Sequence, residues 1–424
     1  MLATLALHIL FYRMLTIKTV VATIDDLNNN DQWALEQSRK MHPNRPSKTG
    51  VSTILALNVV PAEDDGTTAT NTNTLSKQRI SKSLFGSNER DLVLDDRWTP
   101  NLRDQVSMCS GGKIEIEPAC TAGTLPSCFG DEDVQGGVMD VSVANITGVP
   151  RGNITYEALV LAESLLGKKG MKLSYFTHVA LVLPKEVDWE GRLGNEAFMT
   201  AGFALEGTGI FALSADYVDN DAIAVHEYGH TLGLAHSSCV GTGSAVDDEY
   251  CDQSCVMGGG VSQVCFNGAQ SKSLGWYDAD SIHIFPSLGH GFNGVLIGVA
   301  DWSTKNYEPG EHYVVVTISA LHSNGRLHLL YNRAKGPNSG VSFAQDRVTV
   351  TFDQGDETKS LHKGALSGGE MLRVIDFDEL DRDLIIKVAG MSEFDPPGGE
   401  PDMAHVLVYL EGNEVPAFNE LPVS

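Results

Sequence analysis

Basic side chains are scarce in this chain. There are 30 Lys and Arg against 55 Asp and Glu, a formal net charge of −25. Binding to a phosphate backbone needs a basic surface, so nucleic acid is excluded as a partner, and the acid excess is read as a solubility device. Long apolar runs are missing too. Beyond the first two dozen residues nothing approaches the ~18 consecutive apolar residues of a membrane span, so no stable membrane insertion is expected. The seven cysteines include no C-x-x-C pair, which removes the zinc-ribbon class. No internal repeat is visible, which sets aside solenoids and propellers.

What is present describes a globular protein. Hydrophobic content is 42% and charged content 20% over 424 residues, enough for two domains with real cores. Cys109, Cys120, Cys128, Cys239, Cys251, Cys255 and Cys265 all fall between residues 109 and 265. They predict up to three disulfides stapling one domain, with one thiol over. Two sequons, Asn145-Ile146-Thr147 and Asn153-Ile154-Thr155, point with the cysteines to an extracellular life. Leu2 to Tyr12 reads as a short h-region, so residues 1–24 are taken as a signal peptide. Residues 25–47 are polar without periodicity and read as a short pro-segment or linker. Carboxylates cluster at Asp216-Asp219-Asp221 and Asp247-Asp248-Glu249. Neither fits an EF-hand loop, and both are carried forward as calcium candidates.

Periodicity divides the rest. Strands are expected at 51–60, 113–117, 138–144, 177–183 and 209–214, and helices at 75–85, 101–109, 156–166 and 221–232. This mixture predicts an α/β (α+β) domain over residues 48–282. From 283 to 424 the texture changes to short β-type runs at 312–319, 326–331, 347–352, 384–388 and 405–410, separated by Gly, Asn and Pro turns. An all-β, sandwich-like C-terminal domain is expected there.

The chemistry concentrates in His226-Glu227-Tyr228-Gly229-His230-Thr231-Leu232-Gly233-Leu234-Ala235-His236, which satisfies H-E-x-x-H-x-x-G-x-x-H. His226 and His230, four apart on a helix, point the same way from successive turns. Glu227 lies about 100° round the axis, able to reach a water on a metal without ligating it. Gly233 is free to take positive φ and turn the chain, which returns His236 as a third nitrogen ligand. Three histidines leave one position of a tetrahedral zinc open for catalysis. Five fixed positions coincide by chance at roughly one in ten million start sites, so the pattern is read as a zinc site with Glu227 as general base.

The elongated motif resembles that of the metzincin clan of zinc peptidases, and Ser254-Cys255-Val256-Met257-Gly258 resembles the clan's methionine turn, with Met257 packing beneath the ligands. A narrower resemblance, over roughly residues 50–350, is to the gametolysin family of secreted algal peptidases that digest glycoprotein wall or matrix material. It is carried by Cys109-Ser110-Gly111-Gly112-Lys113, the zinc segment, Cys265-Phe266-Asn267-Gly268-Ala269-Gln270 through Leu274-Gly275-Trp276-Tyr277, and Tyr331-Asn332-Arg333-Ala334-Lys335-Gly336. It implies a metzincin-like catalytic domain, Zn2+ as cofactor, and protein substrates that include extracellular glycoproteins. Some members carry glutamine at the first histidine; His226 is kept here. Some metzincins place a tyrosine ligand two residues after the turn methionine, where this chain has Gly259, so no tyrosine switch is expected. No cysteine precedes Cys109, which excludes a pro-segment thiolate on the zinc.

A catalytically silent matrix or adhesion protein that keeps the zinc fold is the alternative, and it predicts a damaged ligand set. An endoribonuclease family also spaces three histidines this way, but with glycine where Glu227 stands.

Overall fold

The computed structural model describes residues 29–43, 45–62, 75–86, 100–120, 133–144, 146–188, 201–239, 249–259, 262–286, 291–302, 310–320, 325–355, 359–377, 381–392 and 400–413. The expected signal peptide, the Asn145 sequon, Cys128, Asp247 and Asp248 lie outside these.

The first half runs α1 (Asn29–Met41), β1 (Gly50–Pro61), α2 (Lys77–Phe85), α3 (Leu102–Cys109), β2 (Ile114–Pro118), β3 (Val134–Gln135) and β4 (Val138–Val143). It continues through α4 (Arg151–Gly167), β5 (His178–Leu183), β6 (Gly202–Ala204), β7 (Ile210–Ser214) and α5 (Asp221–Thr231), then β8 (Ser237–Cys239) and α6 (Gly268–Leu274). The expected strands and helices of this half are all found. The structure starts α4 at Arg151, five residues earlier than its apolar spacing suggests, with Pro150 as the N-cap whose carbonyl accepts from the Ile154 amide. Helix α1 lies in the stretch read as aperiodic. Its sequence is polar, and what holds it is packing against α4: Ala34, Leu35 and Ser38 are buried and Trp33 sits edge-on to Tyr156 at 5.4 Å.

Strand β1 is the centre of a seven-stranded sheet ordered β3-β4-β1-β5-β7-β6, with β2 pairing to the start of β1. It is parallel except for the β3–β4 and β6–β7 pairs. Period-two alternation sorts its side chains onto two cores. Ile54 and Ala56 join α2, α3 and α5 on one face. Leu55, Leu57 and Val59 join α1 and α4 on the other. This explains why β1 and β5 read as continuous apolar runs: parallel strands covered by helices are buried on both sides.

The second half contains β9 (Ser281–Ile284), β10 (Phe292–Ile297), β11 (His312–Tyr313), β12 (Val315–Ser319), β13 (Arg326–Asn332), β14 (Arg347–Asp353), β15 (Ser360–Leu366), β16 (Met371–Val374), β17 (Leu384–Met391) and β18 (Met403–Leu410). One sheet is ordered β11-β10-β18-β17-β16 and the other β8-β15-β14-β13-β12-β9. Their facing side chains share one core, Val316, Leu329 and Val350 from one layer meeting Leu384, Val406 and Val408 from the other. The chain is thus a mixed α/β unit joined to a β-rich two-layer unit. The join is not a simple linker, since β8 follows the zinc motif directly yet pairs in parallel with β15 of the second half, Ser237 opposite Ser360.

Candidate metal centre

Helix α5 is built to be held from both ends. The Asn220 side chain caps it by accepting from the Ala222 amide at 3.1 Å, and Asp221 adds negative charge at the positive end of the dipole. At the far end Gly233 has φ +89°. The Leu234 amide donates to Gly229 O and the Gly233 amide to His230 O, the paired bonds of a Schellman stop. Every residue of α5 is buried.

The structure brings His226, His230 and His236 together, with one ligand atom from each lying within 4.8 Å of the others. Nε2 of His230 is 3.2 Å from Nε2 of His226 and 3.1 Å from Nε2 of His236. The other ring nitrogens are occupied by acceptors: Nδ1 of His226 donates to Val256 O at 2.8 Å, that of His230 to Leu234 O at 2.7 Å, and that of His236 to the Glu249 carboxylate at 3.2 Å. Carbonyls and carboxylates only accept, so each imidazole carries its proton on Nδ1 and turns an Nε2 lone pair inward. Burial favours the neutral rings, lowering the pKa of His230 to about 4 and of His236 to about 3 and putting His226 well below its ordinary value. Three lone pairs facing one another repel unless a cation sits between them. Nitrogens on one tetrahedral zinc stand about 3.3 Å apart, given Zn–N of ~2.0–2.1 Å, so the spacing fits zinc.

Glu227 is fully buried, and neither carboxylate oxygen has a hydrogen-bond partner among the described residues. Burial raises its pKa well above the ordinary glutamate value, opposed in part by the charge of Arg151. Strand β6 crosses close to it: a Cβ on Gly202 would lie 2.8 Å from Glu227 Cγ. A side chain at 202 would therefore displace the carboxylate.

Met257 is fully buried under α5. A Cβ on Gly229, between the first two histidines, would fall 2.5 Å from its sulfur, so glycine there is what lets the methionine in. The turn also ties two of the three histidines together, because Val256 O holds His226 while Met257 O accepts from the Ser237 amide, next to His236. At Gly258 a Cβ would stand 2.0 Å from the Asp252 carbonyl oxygen. Backbone cannot yield as a side-chain tip can. Gly258→Ala is expected to destabilise the chain by about 1–3 kcal/mol or more, read as a lower urea midpoint with unchanged slope.

The third histidine is supported from α6 and, through Ser360, from the second half. Asn267 caps α6 through its Oδ1, and its Nδ2 reaches Ser237 Oγ at 2.8 Å, Ser360 Oγ at 2.9 Å and Asp252 Oδ2 at 3.1 Å. Gln270 donates to Ala235 O at 2.9 Å, just before His236. Gly268 lets α6 approach β13, where its Cβ would be 3.2 Å from that of His328. The Cys265–Gln270 segment thus serves placement rather than chemistry. Asn267→Ala removes a cap and one partner from each of three buried groups, and a loss of about 2–4 kcal/mol is expected, checked by thermal unfolding.

Disulfides join Cys109 to Cys265 and Cys239 to Cys251, Cys120 is disulfide-bonded as well, and Cys255 is the buried free thiol. The calcium expectation is not supported. Asp219 is engaged by Arg79 and Ser83, and Asp221 by Ser262. The Glu249 carboxylate pairs with His236. Among the described residues the histidine triad is the one group of three or more such side chains able to hold a metal.

One residue near the triad escapes the motif reading. The Tyr250 hydroxyl lies 3.2 Å from Nε2 of His236, and its ring is 4.4 Å from the His236 ring. The readable signal was its place beside Cys251, whose partner Cys239 is three residues beyond His236, but disulfide connectivity is not legible in a sequence.

Three inward imidazoles beside a buried carboxylate that has no hydrogen-bond partner among the described residues make a donor set suited to a metal. Residues 71–285, just over half of the chain, match the family model of gametolysin peptidase M11, and the chain belongs to that family. Membership makes the class metallopeptidase, with a metal, typically zinc, and protein substrates. No curated protein matches the chain significantly. Disulfides are consistent with an extracellular protein, and among the described residues no helix is long and apolar enough to cross a membrane.

Proposed function

We propose that this chain is a secreted zinc endopeptidase of metzincin type, acting on extracellular glycoproteins. The reading rests most on one observation: three Nε2 lone pairs converge beside a buried glutamate that has no hydrogen-bond partner among the described residues. His226, His230 and His236 would hold the zinc, which when bound supplies Lewis acidity and brings a water's pKa to about 7. Glu227 then accepts the water's proton on its carboxylate and returns it to the departing amine nitrogen, so the base ends the cycle as it began.

Met257 supports the ligands from below without coordinating. Strand β6, terminal in its sheet and adjacent to Glu227, offers a backbone edge along which an extended peptide can lie. We take residues 48–282 as the catalytic unit and 283–424 as a β-sandwich whose sheet extends through β8 to steady His236. The signal peptide at 1–24, the cysteines and the sequons support secretion. The glycoprotein substrate is supported by family likeness. The experiment is digestion of gelatin and of an extracellular-matrix glycoprotein, with fragments read by mass spectrometry. Cuts at internal bonds that a chelator abolishes are expected. Release of single terminal residues, or chelator-insensitive cleavage, overturns the reading.

A further inference from the structure

Helices α1 and α4 leave an open groove between them, lined by Trp33, Asn153, Tyr156, Glu157, Val160 and Leu161 and roomy enough for a sugar ring. The five α4 residues stand at i, i+3, i+4, i+7 and i+8, one face of a helix. Much of that face is uncovered: Trp33 is 55% exposed and Val160 41%. An exposed patch of aromatic and aliphatic side chains marks a place where something binds. At its head stands Asn153, half-buried in the first turn of α4, whose carboxamide makes no hydrogen bond among the described residues. Asn153-Ile154-Thr155 is the acceptor pattern for an N-linked sugar chain. Thr155 adds an independent sign. Its side chain is fully buried, and its hydroxyl has no hydrogen-bond partner among the described residues. Such a hydroxyl costs the fold free energy, and valine would fill the same space without that cost. The fold gains nothing from the oxygen, whereas sugar transfer to Asn153 requires a hydroxyl two residues on.

We propose that Asn153 carries an N-linked glycan whose first N-acetylglucosamine lies in this groove against Trp33 and Tyr156, joining α1 to α4. The inference rests on the secretion part of the reading above and not on the zinc site. Transfer takes place on the nascent chain, before α4 buries Thr155. Nδ2 of Asn153 attacks the anomeric carbon of a lipid-diphosphate-linked oligosaccharide. The N–C1 bond forms, the C1–O bond to the diphosphate breaks, its electron pair leaves with the lipid diphosphate, and one amide proton is lost. In the folded chain the C–H face of the sugar covers the aromatic rings, while its hydroxyls face water and the exposed Glu157 carboxylate. Trp33 sits edge-on to Tyr156 at 5.4 Å, so one sugar ring laid there touches both helices. That contact adds to the hold on a helix whose own sequence is polar. The groove is on the face of the sheet opposite α5, so the glycan leaves the histidine triad open.

The full chain is expressed in a secreting eukaryotic host and treated with a peptide-N-glycosidase in heavy-oxygen water, which turns a glycan-bearing asparagine into labelled aspartate. Mass spectrometry is expected to find the label at Asn153. Docking is read by trypsin, since cutting after Arg39 or Lys40 requires α1 to open locally. Cutting should be slow in the intact glycoprotein and equally slow after an endoglycosidase trims the glycan to its first sugar. It should be about fivefold or more faster once that sugar is removed, and in Asn153→Gln, which never receives it. Thr155→Val should lose the label and cut at the fast rate. Trp33→Ala should keep the label and cut fast with the sugar or without it. A secreted chain with a bare Asn153 overturns the proposal and leaves the zinc-peptidase reading intact. Equal rates in wild type with and without the first sugar overturn the docking. So does a first sugar that slows cutting as much in Trp33→Ala, which makes it a steric shield and not an occupant of the groove. A chain that the host retains overturns the secretion reading, and this proposal with it.

Discussion

Glu227→Gln is expected to bind zinc at wild-type stoichiometry and to lose about 10²–10⁴-fold in kcat/KM, the range for removing a general base. The substitution is isosteric, so geometry under β6 is kept, yet the carboxamide cannot take a proton from water. Stability separates this from general damage. The carboxylate is fully buried without a hydrogen-bond partner among the described residues, an arrangement that costs the fold free energy. A neutral amide lightens that cost, so the unfolding temperature should stay level or rise. Sites that carry such a burden for chemistry commonly gain stability when it is removed. A variant that is less stable and equally active would place Glu227 in the scaffold and not in the reaction.

His236→Ala carries the second large effect, and in a different observable. A structural zinc contributes about 10–16 kcal/mol through its ligand set, so one ligand is worth about 3 kcal/mol or more, about 10²-fold in affinity. The variant should therefore need zinc raised by at least that factor to reach half occupancy. The thermal stabilisation that zinc confers by mass action should shrink accordingly. Activity at low zinc should vanish and return in part at high zinc. Glu227→Gln shows the opposite pattern, full binding with lost turnover. Together the two variants separate holding the metal from using it.

The histidines were legible because helix geometry forces their spacing: i and i+4 share a face, and Gly233 at φ +89° supplies the turn that the motif requires. Strands β1 and β5 were legible because both of their faces are buried, which leaves an unbroken apolar run in the sequence. The rest depended on contacts far apart in sequence. Helix α1 is too polar to announce itself and becomes a helix through α4. Strand β8 is three residues long and takes its identity from β15, more than 120 positions away. Tyr250 carries no spacing relation to the zinc motif. It reaches His236 because Cys251 is tied to Cys239 and because Gly259 leaves room.

That long-range support recasts the C-terminal layers. Ser360 lies opposite Ser237 in the sheet, and its hydroxyl meets both Ser237 and the Asn267 side chain. The third histidine is thus one residue from a strand that completes the second half's sheet. Tyr331 is buried in the sandwich core, and Arg333 ties the two β layers through Asp402 and Asp346.

Stripping the metal from the purified chain and titrating zinc back while following casein cleavage tests the central claim most directly. The account predicts activity that rises linearly with added zinc and breaks to a plateau at one equivalent per chain. Cleavage that persists without metal would contradict it, as would one equivalent of zinc taken up with no cleavage gained.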